Sequence, residues 1–147
     1  MNAPDIPHPP VVDPRLHGSF ARQTMMTTIG AQMIHADRGL CLLRAGIGAH
    51  LLQQHGAAHA GLAFMLGDSA AGYAALSLMP PETEVMTVEM KINLMAPAIG
   101  EALEAVGEVV RAGRRLTVVR AEVFALSGAT RKSVALMQGT MIPVAPA

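Results

Sequence analysis

Hydrophobic and polar positions change period along this chain, and each change marks an element. Over 86–94 the period is two: Met86, Val88, Met90, Ile92 and Leu94 alternate with Thr87, Glu89, Lys91 and Asn93. That pattern predicts a strand with one buried face and puts Thr87 on the polar face, away from the core. Three more strands are expected at about 101–111, 116–126 and 131–144, with Ala112-Gly113 and Ser127-Gly128 as tight turns. Connections this short predict antiparallel neighbours. Two earlier strands, about 32–37 and 39–46, are separated by the turn-like Asp37-Arg38-Gly39.

The segment 48–56 has no period and reads as a loop, whereas 58–79 is apolar on every side. Wound as a helix, it carries one stripe of mostly small residues, Gly61, Phe64, Asp68, Ala71, Gly72 and Ala75. A bulkier stripe follows Leu62, Met65, Leu66, Ser69, Tyr73 and Leu76, and Pro80-Pro81 stops the helix. A shorter helix is expected from about Ser19, with Phe20, Met25, Met26 and Ile29 as its apolar side. Residues 1–18 hold five of the ten prolines and read as a flexible, extended arm. Long strands joined tightly, plus one helix with no polar side, predict an α+β domain over 19–147 in which a single sheet wraps the helix.

Composition narrows the function. Eleven basic and eleven acidic residues give a net charge of zero, which supplies none of the positive field that nucleic acid binding needs. One cysteine, Cys41, can form neither an internal disulfide nor a thiolate zinc site, and it reads as inert core. The N-terminus lacks the apolar run of a secretory signal, so the cytoplasm is the expected compartment. The apolar 58–79 segment raises a membrane-spanning reading, but a carboxylate at mid-span costs about 2.5–3.5 kcal/mol and no Lys or Arg flanks it closely. A helix wrapped by its own protein explains it better. Eleven methionines and only 3% aromatic residues suit a sheet that approaches the helix closely, with Met filling gaps.

Charge is also uneven. Between Arg44 and Glu82 the only formal charge is Asp68. Gly67-Asp68-Ser69 resembles the start of one serine hydrolase class, yet all six histidines precede Ser69, so that class's downstream Asp-x-x-His is absent. The G-x-S-x-G elbow is absent as well. His50, His55 and His59 do not make a zincin motif, because Gly56 stands where the glutamate belongs, and no metal is expected. Gly46-Ile47-Gly48 is an incomplete phosphate loop.

The junction Gln53-Gln54-His55-Gly56-Ala57-Ala58-His59-Ala60-Gly61 carries more chemistry. A helix N-terminus offers unpaired N–H groups to a developing oxyanion, and small residues let a substrate approach. Two helical turns on, Asp68 shares a side with Gly61, so an acid and an oxyanion site are expected to flank one reacting carbonyl. The alternative is a buried acid that only accepts structural hydrogen bonds.

In order and spacing, Gln53-x-x-Gly56-x-x-His59-Ala60-Gly61, then Asp68, then Thr87-Val88-Glu89-Met90-Lys91-Ile92-Asn93 and Pro97 resemble the hotdog-fold acyl-CoA thioesterases of the phenylacetate-pathway (PaaI-like) branch. Gly113-Arg114-Arg115-Leu116 resembles the hairpin before that family's penultimate strand. The resemblance runs from about 19 to 144. It implies a helix wrapped by an antiparallel sheet, and hydrolysis of a small or medium, possibly aromatic, acyl-CoA at a site shared between subunits of a homodimer or homotetramer. By position it implies Asp68 as general base or nucleophile, the Ala60 N–H with that of Gly61 as donor to the carbonyl, and Gln53 in place of an asparagine that positions water or substrate. Thr87 stands where relatives support the attacking group, and His59 is expected to orient the loop. Arg114 and Arg115, with Arg131 and Lys132 behind them, are the cations expected for the coenzyme phosphates. Coenzyme A enters as part of the substrate, so no separate cofactor is implied. Ala60 departs from the family's His-Gly-Gly but keeps the backbone donor. A non-catalytic acyl-CoA-binding module is the alternative, and a hotdog hydratase, which needs an Asp–His pair, comes after it.

Overall fold

The computed structural model describes residues 4–146; residues 1–3 of the expected arm and residue 147 lie outside them. Two short helices, α1 (Pro14–Ala21) and α2 (Thr24–Thr28), lead into the hairpin β1 (Gln32–Asp37) and β2 (Leu40–Gly46). The long helix α3 (Ala60–Leu76) follows, then β3 (Glu84–Leu94), β4 (Ala102–Ala112), β5 (Thr117–Ser127) and β6 (Thr130–Val144). The five strand pairs are antiparallel, in one six-stranded sheet of order β1-β2-β4-β5-β6-β3. This is the α+β arrangement the sequence predicts, with α3 inside the curve of the sheet.

Close packing explains the composition of α3. Leu62, Leu66, Leu76 and most of the alanines are buried, each leucine worth about 1.5–3 kcal/mol of apolar transfer. Gly107 of β4 lies directly on the helix backbone: a Cβ there would stand 2.3 Å from the carbonyl carbon of Ala70. Coverage is incomplete on one flank, where Gly61, Phe64, Met65, Asp68 and Ser69 are only half-buried. Their spacing of three and four residues makes them one continuous face.

Two expectations are corrected. The segment 1–18 is not simply an extended arm, because Pro14 opens α1 with Asp13 as its cap, the Arg15 N–H donating to Asp13 Oδ1 at 2.7 Å. Ahead of it, Val12 bridges to Ala36 in parallel and the Val11 N–H donates to His35 Nδ1 at 3.1 Å. The Arg15 guanidinium in turn donates at 2.7 Å to the carbonyl of Leu76, where α3 ends three residues before Met79.

The second correction is in β3. Val88 is an extra residue, since Thr87 pairs with Met141 and Glu89 with the adjacent Thr140. This bulge shifts the alternation by one. Val85 and Thr87 face α3 before it, Met90 and Ile92 after it, while Met86 (56% exposed) and Val88 (57%) face outward. Thr87 is therefore on the helix side of its strand, not on the opposite face.

Candidate active site

The loop before α3 is pinned at several points. Leu52 bridges to Ala58, the Ala58 N–H donates to the Ala98 carbonyl at 2.9 Å, and the His59 N–H donates to the Leu51 carbonyl at 2.8 Å. Gly56 turns the chain at φ +84°, a conformation side chains disfavour. The Gln53 side-chain oxygen accepts from the His55 N–H, so its amide NH₂ is the group left to face the adjacent cavity.

His59 caps α3, its Nδ1 accepting from the Gly61 N–H at 2.9 Å. Of the two donors expected at this terminus, that of Gly61 is thereby engaged. The Ala60 N–H, at the first helical position, has no intrahelical partner and, among the described residues, no other backbone partner. Ala60 and Gln53 line a cavity of about 400 Å³ with Leu94, Met95, Pro97 and Val134.

Asp68 lies two turns further along. Thr87 donates its hydroxyl proton to Asp68 Oδ1 at 2.9 Å, across from edge strand to helix. Burial holds the Asp68 carboxyl above the usual carboxylate range, and the Thr87 bond opposes that shift. A second cavity, about 180 Å³, opens beside this pair and is bounded by Gln23, Ser69, Tyr73 and Val85.

Geometry corrects one expectation. Ala60 and Asp68 are eight residues apart on a continuous helix, about 12 Å along its axis, and Gly61 and Asp68 about 10.5 Å. The Ala60 N–H also points out of the helix end, away from Asp68. A donor and an attacking group around one carbonyl must lie within roughly 7 Å of each other. Within one chain these groups do not flank a common carbonyl. By the same measure His59, about 13.5 Å from Asp68 along the axis, forms no Asp–His pair in the chain.

Arg114 and Arg115 are exposed at the β4–β5 hairpin. That hairpin follows the register Thr87↔Met141↔Thr117, two strand spacings or about 10 Å from Thr87. Arg131 is engaged elsewhere, donating to Glu104 at 2.9 Å and stacked 3.4 Å over Phe124. The Cys41 thiol is fully buried and its pKa pushed far up, leaving no nucleophile there. Among the described residues no three His, Cys, Asp or Glu side chains come together as a metal site, and no helix is long and apolar enough to cross a membrane.

Gln23 and Tyr73 were not legible as site residues. Tyr73 is the chain's one tyrosine and shares a helix with Asp68, which is a weak signal; Gln23 reaches the site only through the turn between α1 and α2.

A family model described as the thioesterase superfamily matches residues 55–132. Among solved structures, the chain is similar to a thioesterase family protein from Silicibacter pomeroyi, 40% identical over 90% of this chain and 97% of that one, with a TM-score of 0.87. It is also similar to a conserved protein from Pseudomonas aeruginosa, 31% identical over 83% and 94% of the two chains, TM-score 0.75. The PaaI protein from the phenylacetic acid degradation operon of E. coli shares the fold at 23% identity, with 88% and 91% covered and a TM-score of 0.79. A search of curated protein sequences gives no match.

Proposed function

This chain belongs to the thioesterase superfamily and is a thioester hydrolase of the hotdog fold, and on that premise we propose that it hydrolyses acyl-CoA thioesters in the cytoplasm with Asp68 as the reacting carboxylate. The observation that carries this is the Asp68–Thr87 pair at the mouth of a cavity on the half-covered face of α3. A carboxylate held above its ordinary pKa is a stronger base, and one hydroxyl bond fixes its orientation while leaving the second oxygen for water or the carbonyl carbon. Base and nucleophile roles both fit that geometry. The Ala60 N–H polarises the thioester oxygen and stabilises the charge that develops there. Gln53 holds water or substrate beside it through its amide NH₂, while His59 shapes the loop by capping α3. Arg114 and Arg115 supply cations for the coenzyme phosphates. The scheme needs no separate cofactor or metal.

The 12 Å between Ala60 and Asp68 requires that the two groups at one thioester come from two copies of the chain. Two surfaces favour such assembly. The half-buried face of α3 presents Phe64 and Met65 beside Asp68, and the adjacent edge strand β3 exposes Met86, Val88 and Leu94. An apolar edge of this kind is normally covered in a stable protein.

The test is free thiol release from short, medium and aromatic acyl-CoAs by wild type and Asp68→Asn. Loss of the base predicts a kcat reduced about 10²–10⁴-fold on every substrate that wild type turns over. Turnover that survives in the Asn variant removes Asp68 from the mechanism, and binding without turnover in either protein makes the chain a binding module.

A further inference from the structure

The cavity beside Asp68 is half-open and carries the polar side chains of Gln23, Ser69 and Tyr73 on its wall. Tyr73 is 3% exposed and its ring is fixed edge-on against Phe20, centroids 5.8 Å apart. Its hydroxyl oxygen is held by Gln23 Nε2 at 2.9 Å and lies 3.2 Å from Ser19 Oγ. Gln23 occupies the N-cap of α2 yet makes no capping bond; its side chain turns to Tyr73 instead. With the amide NH₂ bound to Tyr73, the amide oxygen of the exposed Gln23 side chain is an acceptor beside the cavity that Gln23 lines. Ser69 adds a second hydroxyl.

We propose that Gln23 is a specificity-determining residue, accepting a hydrogen bond from a donor at the far end of the acyl group. The proposal rests on the thioesterase reading of Asp68. Size and position define the substrate class. The part of the cavity walled by one chain, about 180 Å³, holds a group near the size of a benzene ring, for which about 150 Å³ suffices. It cannot hold the longer pantetheine arm with its nucleotide, so the acyl group is the arm that enters. Tyr73 is five residues beyond Asp68, about 7.5 Å along the helix. An acyl chain of about six carbons with a terminal hydroxyl spans that distance and meets the Gln23 oxygen. An unsubstituted chain of equal length forgoes that hydrogen bond.

The test compares kcat/KM for 6-hydroxyhexanoyl-CoA and hexanoyl-CoA in wild type, Gln23→Met and Tyr73→Phe. Wild type should prefer the hydroxylated substrate by about tenfold, the worth of one hydrogen bond. Gln23→Met keeps the side-chain length and should bring the ratio to about one, the loss on the hydroxylated substrate exceeding any change on hexanoyl-CoA by about tenfold. Tyr73→Phe keeps the ring and removes the oxygen that orients the amide, so it should lower the ratio in the same direction. Efficient hydrolysis of both substrates with the same ratio in all three proteins overturns the role of Gln23 alone. Hydrolysis of neither by wild type, nor of any acyl-CoA in the wider panel, overturns the thioesterase reading and this proposal with it.

Discussion

Replacing Ala60 by proline deletes one backbone donor and little else. Position 60 is the first residue of α3, where proline's missing N–H leaves no intrahelical bond unmade and its fixed φ suits the helix. The preceding His59 has φ −59° and ψ 140°, the extended conformation that a residue before proline prefers. Ala60 is exposed, so the ring meets no packed wall. The Tm of Ala60→Pro should therefore equal or slightly exceed that of wild type. Catalysis should not survive equally well: loss of one oxyanion donor costs about 2.7–4 kcal/mol in the transition state, a fall of roughly 10²–10³ in kcat. Because the donor acts on charge that develops during reaction, KM should move far less than kcat. Ala60→Gly, which keeps the N–H, should stay within a few-fold of wild type. The assay is steady-state thiol release beside thermal melts of all three proteins. A folded Ala60→Pro that retains more than about a tenth of wild-type kcat would refute the oxyanion assignment.

Other predictions follow from packing and titration. Gly107→Ala would place a methyl 2.3–2.5 Å from backbone atoms of Ala70 and Ala71, which cannot rotate away, so it should cost at least about 1–3 kcal/mol and lower Tm by roughly 3–10 °C. Gly18→Ala, in α1 with open space around it, should be neutral or mildly stabilising in the same melts. Burial raises the Asp68 carboxyl above its unfolded value, so the folded state binds the proton more tightly and wild-type stability falls as pH rises through that interval. Asp68→Asn should consequently gain in Tm relative to wild type at neutral pH, and the gain should vanish below about pH 4, where both states of the carboxyl are protonated. A Tm difference that does not change with pH contradicts the burial argument.

Much of the fold was legible because periods report burial directly. The short spacing between the two glycine turns and the all-round apolar run ending at Pro80-Pro81 place β4, β5 and α3 within a residue or three of their observed ends. Two local features were not. Five prolines in 1–18 predict an extended arm, although Asp13-Pro14 is a cap followed by a first-turn proline and starts a helix. The alternation in β3 was read as one register, although a single extra residue at Val88 exchanges its two faces, and no residue there signals a bulge. That error sent Thr87 outward, when its hydroxyl bonds Asp68 in its own chain. For the site, the isolation of Asp68 in an uncharged segment singles out a carboxylate that is half-buried and bonded to Thr87, where burial disfavours charge. Stripe membership was a poor one, because residues on the same side of a helix can still be separated by its rise. Gln23 was invisible because its position depends on the turn between two short helices.

In the proposed mechanism one thioester is gripped by Ala60 of one chain and Asp68 of another. Co-expression of Asp68→Asn and Ala60→Pro chains carrying different tags tests it directly. With equal amounts and random pairing, half the pairs are mixed, and each mixed pair keeps one intact site of two. Thiol release should then recover to about a quarter of wild type, and should follow the doubly tagged fraction on purification. If both groups act within one chain, no mixed pair contains an intact site, and activity no greater than the two inactive variants assayed separately would contradict the claim.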